Sequence, residues 1–350
     1  MSILGTFMVP HPPLIVPSVG RGSEKQIQET IDSYDKIAKE IAELKPDTII
    51  ISSPHAPVYR DYFYLSTAYE LRGDLSRFGA GDVSFAEMVD VELADLICDL
   101  ADEEDFPTGK VPNAALDHGT MIPLYFIHKY YQDFKILLVG ISTLPLIKNY
   151  QMGSLIQKAV NQTGRKCVYV ASGDLSHKLQ EDGPYGFIEE GPIYDKRIME
   201  DMSHGDFGKL LNYDPVFLDK VAECGHPSFT MMAGFLDGIS VKPTYYSHQD
   251  VTGVGYGICS YYPIGEDVSR KFGEQYLEKI EESKSNEPYV RLAQETIETY
   301  ITQNKILPVP DGLPTEMLTE QAGVFVSIHK YGQLRGCIGT FLPAMDCVAK

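Results

Sequence analysis

Three of the nine histidines in this chain directly follow an apolar run: His11 after ILGTFMVP, His55 after TIIISSP and His177 after VYVASGDLS. Imidazole is the commonest neutral metal ligand and the commonest general acid or base near neutral pH. In open α/β sheets, ligands bind outside the carboxyl ends of the strands. The three rings are therefore expected on one sheet edge, although 44 and 122 residues separate them along the chain. Two histidines from neighbouring strand ends, joined by one anionic donor, make the facial site of non-haem Fe(II) chemistry. Prolines at 10, 12, 54 and 57 pin the loops that carry His11 and His55. Taken singly, each histidine reads as a hydrogen-bonded loop residue; the repeated context favours a shared site.

Further candidates flank these three. His118 lies in LDHGTMIPLYF. Asp117 or Thr120 there suits a helix N-cap, and Gly119 gives room. His118 at the helix start could instead face the site, to bind an oxyanion or move a proton. Asp174, in SGDLSH, could orient His177 or hold a water, or serve only as a turn residue. The segment AECGHPSF stacks Glu223, Cys224 and His226 before an apolar helix, and each is a plausible donor. His248 reads as a loop residue before the last strand, His128 as a surface residue and His204 as part of a turn. The glycines of GVGYG are followed by neither a phosphate-loop lysine nor a helix pattern, which excludes a nucleotide cradle.

The elements that must position these groups can be read from periodicity. Apolar runs over 2–9, 48–53, 136–141 and 167–171 read as buried strands. Helical spacing is expected over 24–45, 86–101, 151–162, 216–223 and 228–238, with a late strand in GVGYGICSYY. Alternating strands and helices imply an α/β fold with a mixed or parallel sheet covered on both faces. Near residue 266 the texture becomes highly charged. The expected organisation is a first domain over 1–265, a charged linker over 266–287 and a second unit over 288–350, which contains GVFVSIH and LRGCIGT.

Composition narrows the function classes. Acidic residues outnumber basic ones 49 to 30, for a formal net charge of -19. That argues against nucleic acid or an anionic membrane as the main partner. Six dispersed cysteines without a CxxC pair fit reduced thiols. The N-terminus has no secretory pattern, and no apolar run approaches the ~18 residues of a membrane span. A cytoplasmic location is expected.

In order and spacing, MVPHPP, SSPHAP, LDHGTMIPLYF and ASGDLSHKL resemble the class III extradiol ring-cleavage dioxygenase superfamily, and most closely its Memo-like branch. The resemblance covers residues 1–265. It implies a central mixed sheet flanked by helices with a metal pocket at one edge. It places His11 and His55 on the metal-ligand histidines, His118 on the pocket histidine beside the substrate and His177 on the acid/base histidine. ECGHPSF matches the Memo-like pattern, with Cys224 as third ligand and Glu223 as the carboxylate alternative. A Cys ligand shifts the preference toward softer ions. Residues 288–350 resemble the AMMECR family through LRGCIGT at Leu334–Thr340, over part of that family's domain, so a partial α+β unit is expected there. Arg335 and Cys337 read as packing around a tight turn shaped by Gly336 and Gly339. Fusion of the two families resembles the AmmeMemoRadiSam system and implies a radical SAM protein as partner.

The resulting expectation is an Fe(II)-dependent oxidoreductase, another divalent metal being the alternative, acting on a small catechol-like aromatic. Two rivals stand beside it: a metal-dependent hydrolase using the same pocket, and a non-enzymatic binding protein.

Overall fold

The computed structural model describes residues 2–112, 115–285, 287–330 and 333–350. The chain divides into two compact units, Met1–Gly273 and Glu274–Lys350.

The first unit is built on an eight-stranded sheet. Its strands are β1 (Ile3–Val9), β2 (Thr48–Ser53), β3 (Phe63–Ser66), β6 (Thr108–Val111), β7 (Lys135–Gly140), β8 (Cys167–Ser172), β9 (Ile239–Gln249) and β10 (Tyr256–Glu266). They are ordered β6-β3-β7-β2-β8-β1-β10-β9. β7, β2, β8 and β1 run parallel, whereas β10 and β9 pair antiparallel at one side. A separate hairpin joins β4 (Glu70–Leu75) to β5 (Ala80–Met88). Every residue of β2 and β8 is buried, because helices cover both faces; this is why TIIISS and CVYVAS read as continuous apolar runs rather than alternating ones.

The register brings the strand ends together. Val9 pairs with Ser172 and Ser52 with Ala171. The loops carrying His11, His55 and Asp174 therefore leave the sheet side by side from β1, β2 and β8. Antiparallel β9 is one of the elements the periodicity did not reveal, with β3, β6, the β4–β5 hairpin and helix Glu190–His204; His248 lies within β9 opposite Gly257 rather than in a loop. Residues 86–90 belong to β5 and the helix cap; the helix itself is Val91–Glu103, capped by the Asp90 carboxylate accepting from Leu93 N.

The first unit runs past residue 265, to Gly273. The charged segment is tied down by Arg270, whose guanidinium donates to Ile239 O at 2.9 Å and to Gly205 O at 2.7 Å. Helix Phe272–Ser285 then carries the chain into the second unit. That unit holds helix Pro288–Gln303, a short helix Thr315–Thr319 and an antiparallel hairpin of β11 (Phe325–Lys330) and β12 (Gln333–Gly339). Among the described residues, no helix is long and apolar enough to cross a membrane.

Candidate metal centre

The site begins with His11, buried just beyond β1. Its Nδ1 lies 2.9 Å from Ser172 Oγ, and that hydroxyl donates to Gly119 O at 2.5 Å. With the serine hydrogen so committed, Nδ1 carries the proton and donates to Ser172. The Nε2 lone pair is left facing inward, the orientation that metal-ligating histidines adopt through their other ring nitrogen.

Three further groups converge on that nitrogen. His55 Nε2 lies 2.9 Å away, Cys224 Sγ 3.6 Å and Asp174 Oδ2 3.9 Å. His118 stacks on His55 with ring centroids 4.0 Å apart. Two overlapping donor sets share His11: His11–His55–His118 and His11–Asp174–Cys224, each with its ligand atoms within 4.8 Å of one another.

Local structure explains the convergence. Asp174 is fixed by accepting the His11 backbone N–H at 2.8 Å. Its own N–H points to Cys224 Sγ at 3.3 Å, and its carbonyl accepts from Gly225 N at 3.0 Å. The two segments touch through Gly173 and Gly225. A Cβ on Gly225 would lie 2.9 Å from the Gly173 Cα, and one on Gly173 would run into the Gly225 backbone. Only glycines permit this approach, which sets Asp174 and Cys224 side by side. Asp174 thus associates with His11 and Cys224, a different placement from the His177-orienting role considered for it.

Glu223, the carboxylate alternative to Cys224, points elsewhere. It accepts the backbone N–H of His226 at 2.5 Å, at the start of helix His226–Phe235. His226 is buried and occupied: Nε2 lies 3.0 Å from Leu210 O and Nδ1 3.3 Å from Tyr194 OH. At 117–118 both readings hold. Asp117 caps helix His118–Ile127 by accepting from Thr120 N at 3.1 Å, while His118 faces His55. Asp117 also receives the Ser53 hydroxyl at 2.6 Å, and Ser53 Oγ accepts from His55 N at 3.2 Å.

The electrostatics follow from burial. His11 is held well below the usual imidazole range, by desolvation first and then by His55, His118 and His177. Desolvation also lowers His55, against the pull of Asp117. His118 falls to about 4 through desolvation, His55 and Arg77, and His177 to about 4 through desolvation and His55. Burial pushes Asp174 up to about 7 and raises the Cys224 thiol well above its ordinary value. In the metal-free protein the rings are neutral, with lone pairs available. His177 Nε2 is buried without a hydrogen-bond partner among the described residues, its ring 5.0 Å from Tyr185. Neutral imidazoles, a carboxyl and a thiol converging in this way suit a divalent transition ion.

Several contributors carried no signal of their own in the sequence. Ser172 and Ser53 end their strands, and only that position hinted at a supporting role. Phe78, at the turn of the β4–β5 hairpin, brings its ring within 5.2 Å of His118. His128 is not a free surface residue: its Nε2 lies 2.6 Å from the buried Glu87 carboxylate. His204 ends helix Glu190–His204, with Nδ1 2.8 Å from Glu200 O.

A sheet of mixed direction with a histidine-rich cluster at the carboxyl ends of its parallel strands defines an α/β protein with a candidate metal site. Residues 5–259 match the family described as the catalytic LigB subunit of aromatic ring-opening dioxygenase, and the chain belongs to that family. Residues 290–350 match AMMECR1. Protein CA_C1420 of Clostridium acetobutylicum is 39% identical over the whole of this chain and 78% of its own length. The 2-aminophenol 1,6-dioxygenase beta subunit of a Pseudomonas species is 22% identical over 78% of this chain and 98% of its own length. The 3,4-dihydroxyphenylacetate 2,3-dioxygenase of Escherichia coli is 25% identical over 59% of this chain and 79% of its own. The crystal structure of uncharacterized protein JW3007 from Escherichia coli K12 shares the fold, with a TM-score of 0.52 at 14% identity over 74% of this chain and 99% of its own.

Proposed function

We propose that the first unit is a non-haem Fe(II)-dependent oxidoreductase of the extradiol type, acting on a small catechol-like aromatic. The observation that carries this reading is the convergence of the His55, Cys224 and Asp174 donor atoms on His11 Nε2. His11 and His55 would hold the ion with Cys224, and Asp174 lies close enough to join them. When bound, the ion would supply a Lewis-acidic site for a diol and for O₂.

The remaining work falls to the protein. His177 is held in its neutral form and its buried Nε2 has no hydrogen-bond partner among the described residues, so it can take a proton from a substrate hydroxyl. His118, at a helix N-terminus and neutral, can donate to the oxyanion that develops. Phe78 and Tyr185 offer flat apolar faces beside the two rings, which suits a planar ring. Oxygen uptake by anaerobically iron-loaded protein, scanned across catechols, tests the reading. Consumption that is lost in His177→Gln while iron is retained supports it.

One observation favours a second reading. The Cys224 thiol, at 3.6 Å, lies nearer His11 Nε2 than the Asp174 carboxylate does at 3.9 Å. A softer ion in such a site would activate water for hydrolysis, with His177 as base. Turnover of an ester or amide without oxygen uptake would select that reading. The pairing of LigB and AMMECR1 regions in one chain supports a radical SAM protein as partner.

A further inference from the structure

Behind the histidine pocket lies a second ionisable pair. Asp195, in helix Glu190–His204, is 3% exposed, and its Oδ2 is 2.7 Å from His248 Nε2 on β9. Its other oxygen, Oδ1, accepts the backbone N–H of Ser176 at 2.9 Å. Ser176 lies midway along the turn that carries Asp174 at one end and His177 at the other.

Two further elements grip the same turn, both through neutral groups. Gly255 donates to Ser176 O at 2.9 Å and accepts from Leu175 N at 2.8 Å. Val221 O accepts from Ser176 Oγ at 3.0 Å and from His177 N at 3.3 Å. Gly255 also makes the carboxylate's approach possible, because a Cβ there would run into Asp195 Oδ2. Among the described contacts to Ser176 itself, Asp195 supplies the ionisable side chain. A buried carboxylate is costly unless paired, and His248 is the pairing group. His248 is itself 25% exposed, so the pair links the buried turn to the protein surface. Burial raises the Asp195 carboxyl, and the His248 bond acts against that rise.

We propose that the Asp195–His248 pair is a positioning device for the metal pocket. It fixes the Asp174–His177 turn so that Asp174 stays beside His11 and Cys224 while His177 faces the cavity. Neither residue touches the reacting atoms; both act through the Ser176 backbone. A charged acceptor holds an amide more strongly than a neutral one, and that is the advantage of an ion pair where a carbonyl would have sufficed. The proposal rests on the metal-site reading above, so its test has one readout that needs no metal.

The experiment uses the full chain with Asp195→Ala, Asp195→Asn and His248→Ala. Amide exchange of the 173–179 peptide is followed in metal-free protein, and Co(II) is then titrated while its thiolate charge-transfer band is recorded. In Asp195→Ala, exchange over 174–178 is expected to rise at least about tenfold, with β1 and β2 unchanged. Co(II) affinity is expected to fall about tenfold or more, the scale of losing an outer hydrogen bond to a metal site, with a shifted band. Asn keeps an acceptor for Ser176 N–H and should restore most of the protection; His248→Ala should fall between Asn and Ala. Unchanged exchange in Asp195→Ala, or an equal rise in every peptide, overturns the proposal. So does local loosening with an unaltered Co(II) spectrum and affinity. If the wild type binds no Co(II), the metal reading fails, and the exchange result alone decides whether the pair holds the turn.

Discussion

The two units of this chain use similar apolar content in opposite ways. In the first, Ile49, Ile50, Ile51, Val168 and Tyr169 are fully buried between helical layers. In the second, helix Pro288–Gln303 has no buried residue. There Ile301, Ile338, Phe341 and Leu342 are each at least 75% exposed, while Met317 is buried. An opening of about 850 Å³ separates that helix from the hairpin, lined by Tyr289, Ala293, Ile297, Phe325, Ile338 and Val348. Rigid placement of side chains requires a packed surround, and only the first unit supplies one. The chemistry accordingly gathers at its sheet edge. LRGCIGT lies on an exposed strand, where Cys337 Sγ accepts from the Ser327 hydroxyl at 3.4 Å.

The contrast can be broken most directly in the tight packing of the first unit. Helices Leu146–Thr163 and His226–Phe235 cross where a Cβ on Gly234 would run into the Tyr150 carbonyl. Gly234→Val should cost at least about 1–3 kcal/mol by overpacking, read as a lowered urea midpoint. Ile301→Val, at a position 75% exposed, should change stability by no more than about 0.5 kcal/mol.

The effect on catalysis is as large or larger in free-energy terms. His177→Gln should lower turnover by about 10²–10⁴-fold, the usual contribution of a positioned base, with metal content and melting temperature retained. A loss of metal instead would move His177 from acid/base chemistry to ligation.

Limited proteolysis sharpens the comparison from the other side. Cleavage should begin within 274–350, where few side chains are buried, and leave a fragment ending near Gly273. Early cuts in the β1–β8 region would contradict the contrast.

Acid titration gives a smaller, graded effect. Five histidines, at 11, 55, 118, 177 and 226, are lowered in the folded state, chiefly by burial. In that window the unfolded chain takes up their protons first. Stability of the metal-free protein should therefore fall as pH drops from about 6.5 toward about 4. Asp174, raised to about 7, Glu223, raised to about 8, and Asp195, also raised by burial, act in the opposite sense there. Five groups against three leave a net loss on acidification. A chemical-denaturation series across that range measures it; stability flat or rising toward pH 4 would contradict the assigned burial. The smallest effect is expected at exposed His204, where alanine should change stability by no more than about 0.5 kcal/mol.

What could be read from the sequence, and what could not, follows from the range of the interactions. His11, His55 and His177 were visible because each follows a continuous apolar run, and such a run in an α/β chain ends at the ligand edge. The LigB-type fold was legible from four ordered motifs, and the comparisons show it. The choice between Glu223 and Cys224 was not, because it depends on which of two adjacent side chains turns toward His11. That choice is made by the Gly173–Gly225 contact between segments some fifty residues apart. The partners of Asp195, His128 and Ser172 were hidden for the same reason. β9 was missed because its edge position leaves an interrupted apolar pattern containing Pro243.

The central claim is that the donor atoms around His11 hold a metal ion. Elemental analysis of anaerobically purified protein, wild type beside His55→Ala, tests it most directly. The account predicts one transition-metal ion per chain in the wild type and its loss in the variant, with the fold intact by circular dichroism. No bound metal in the wild type, even after anaerobic iron loading, would contradict it.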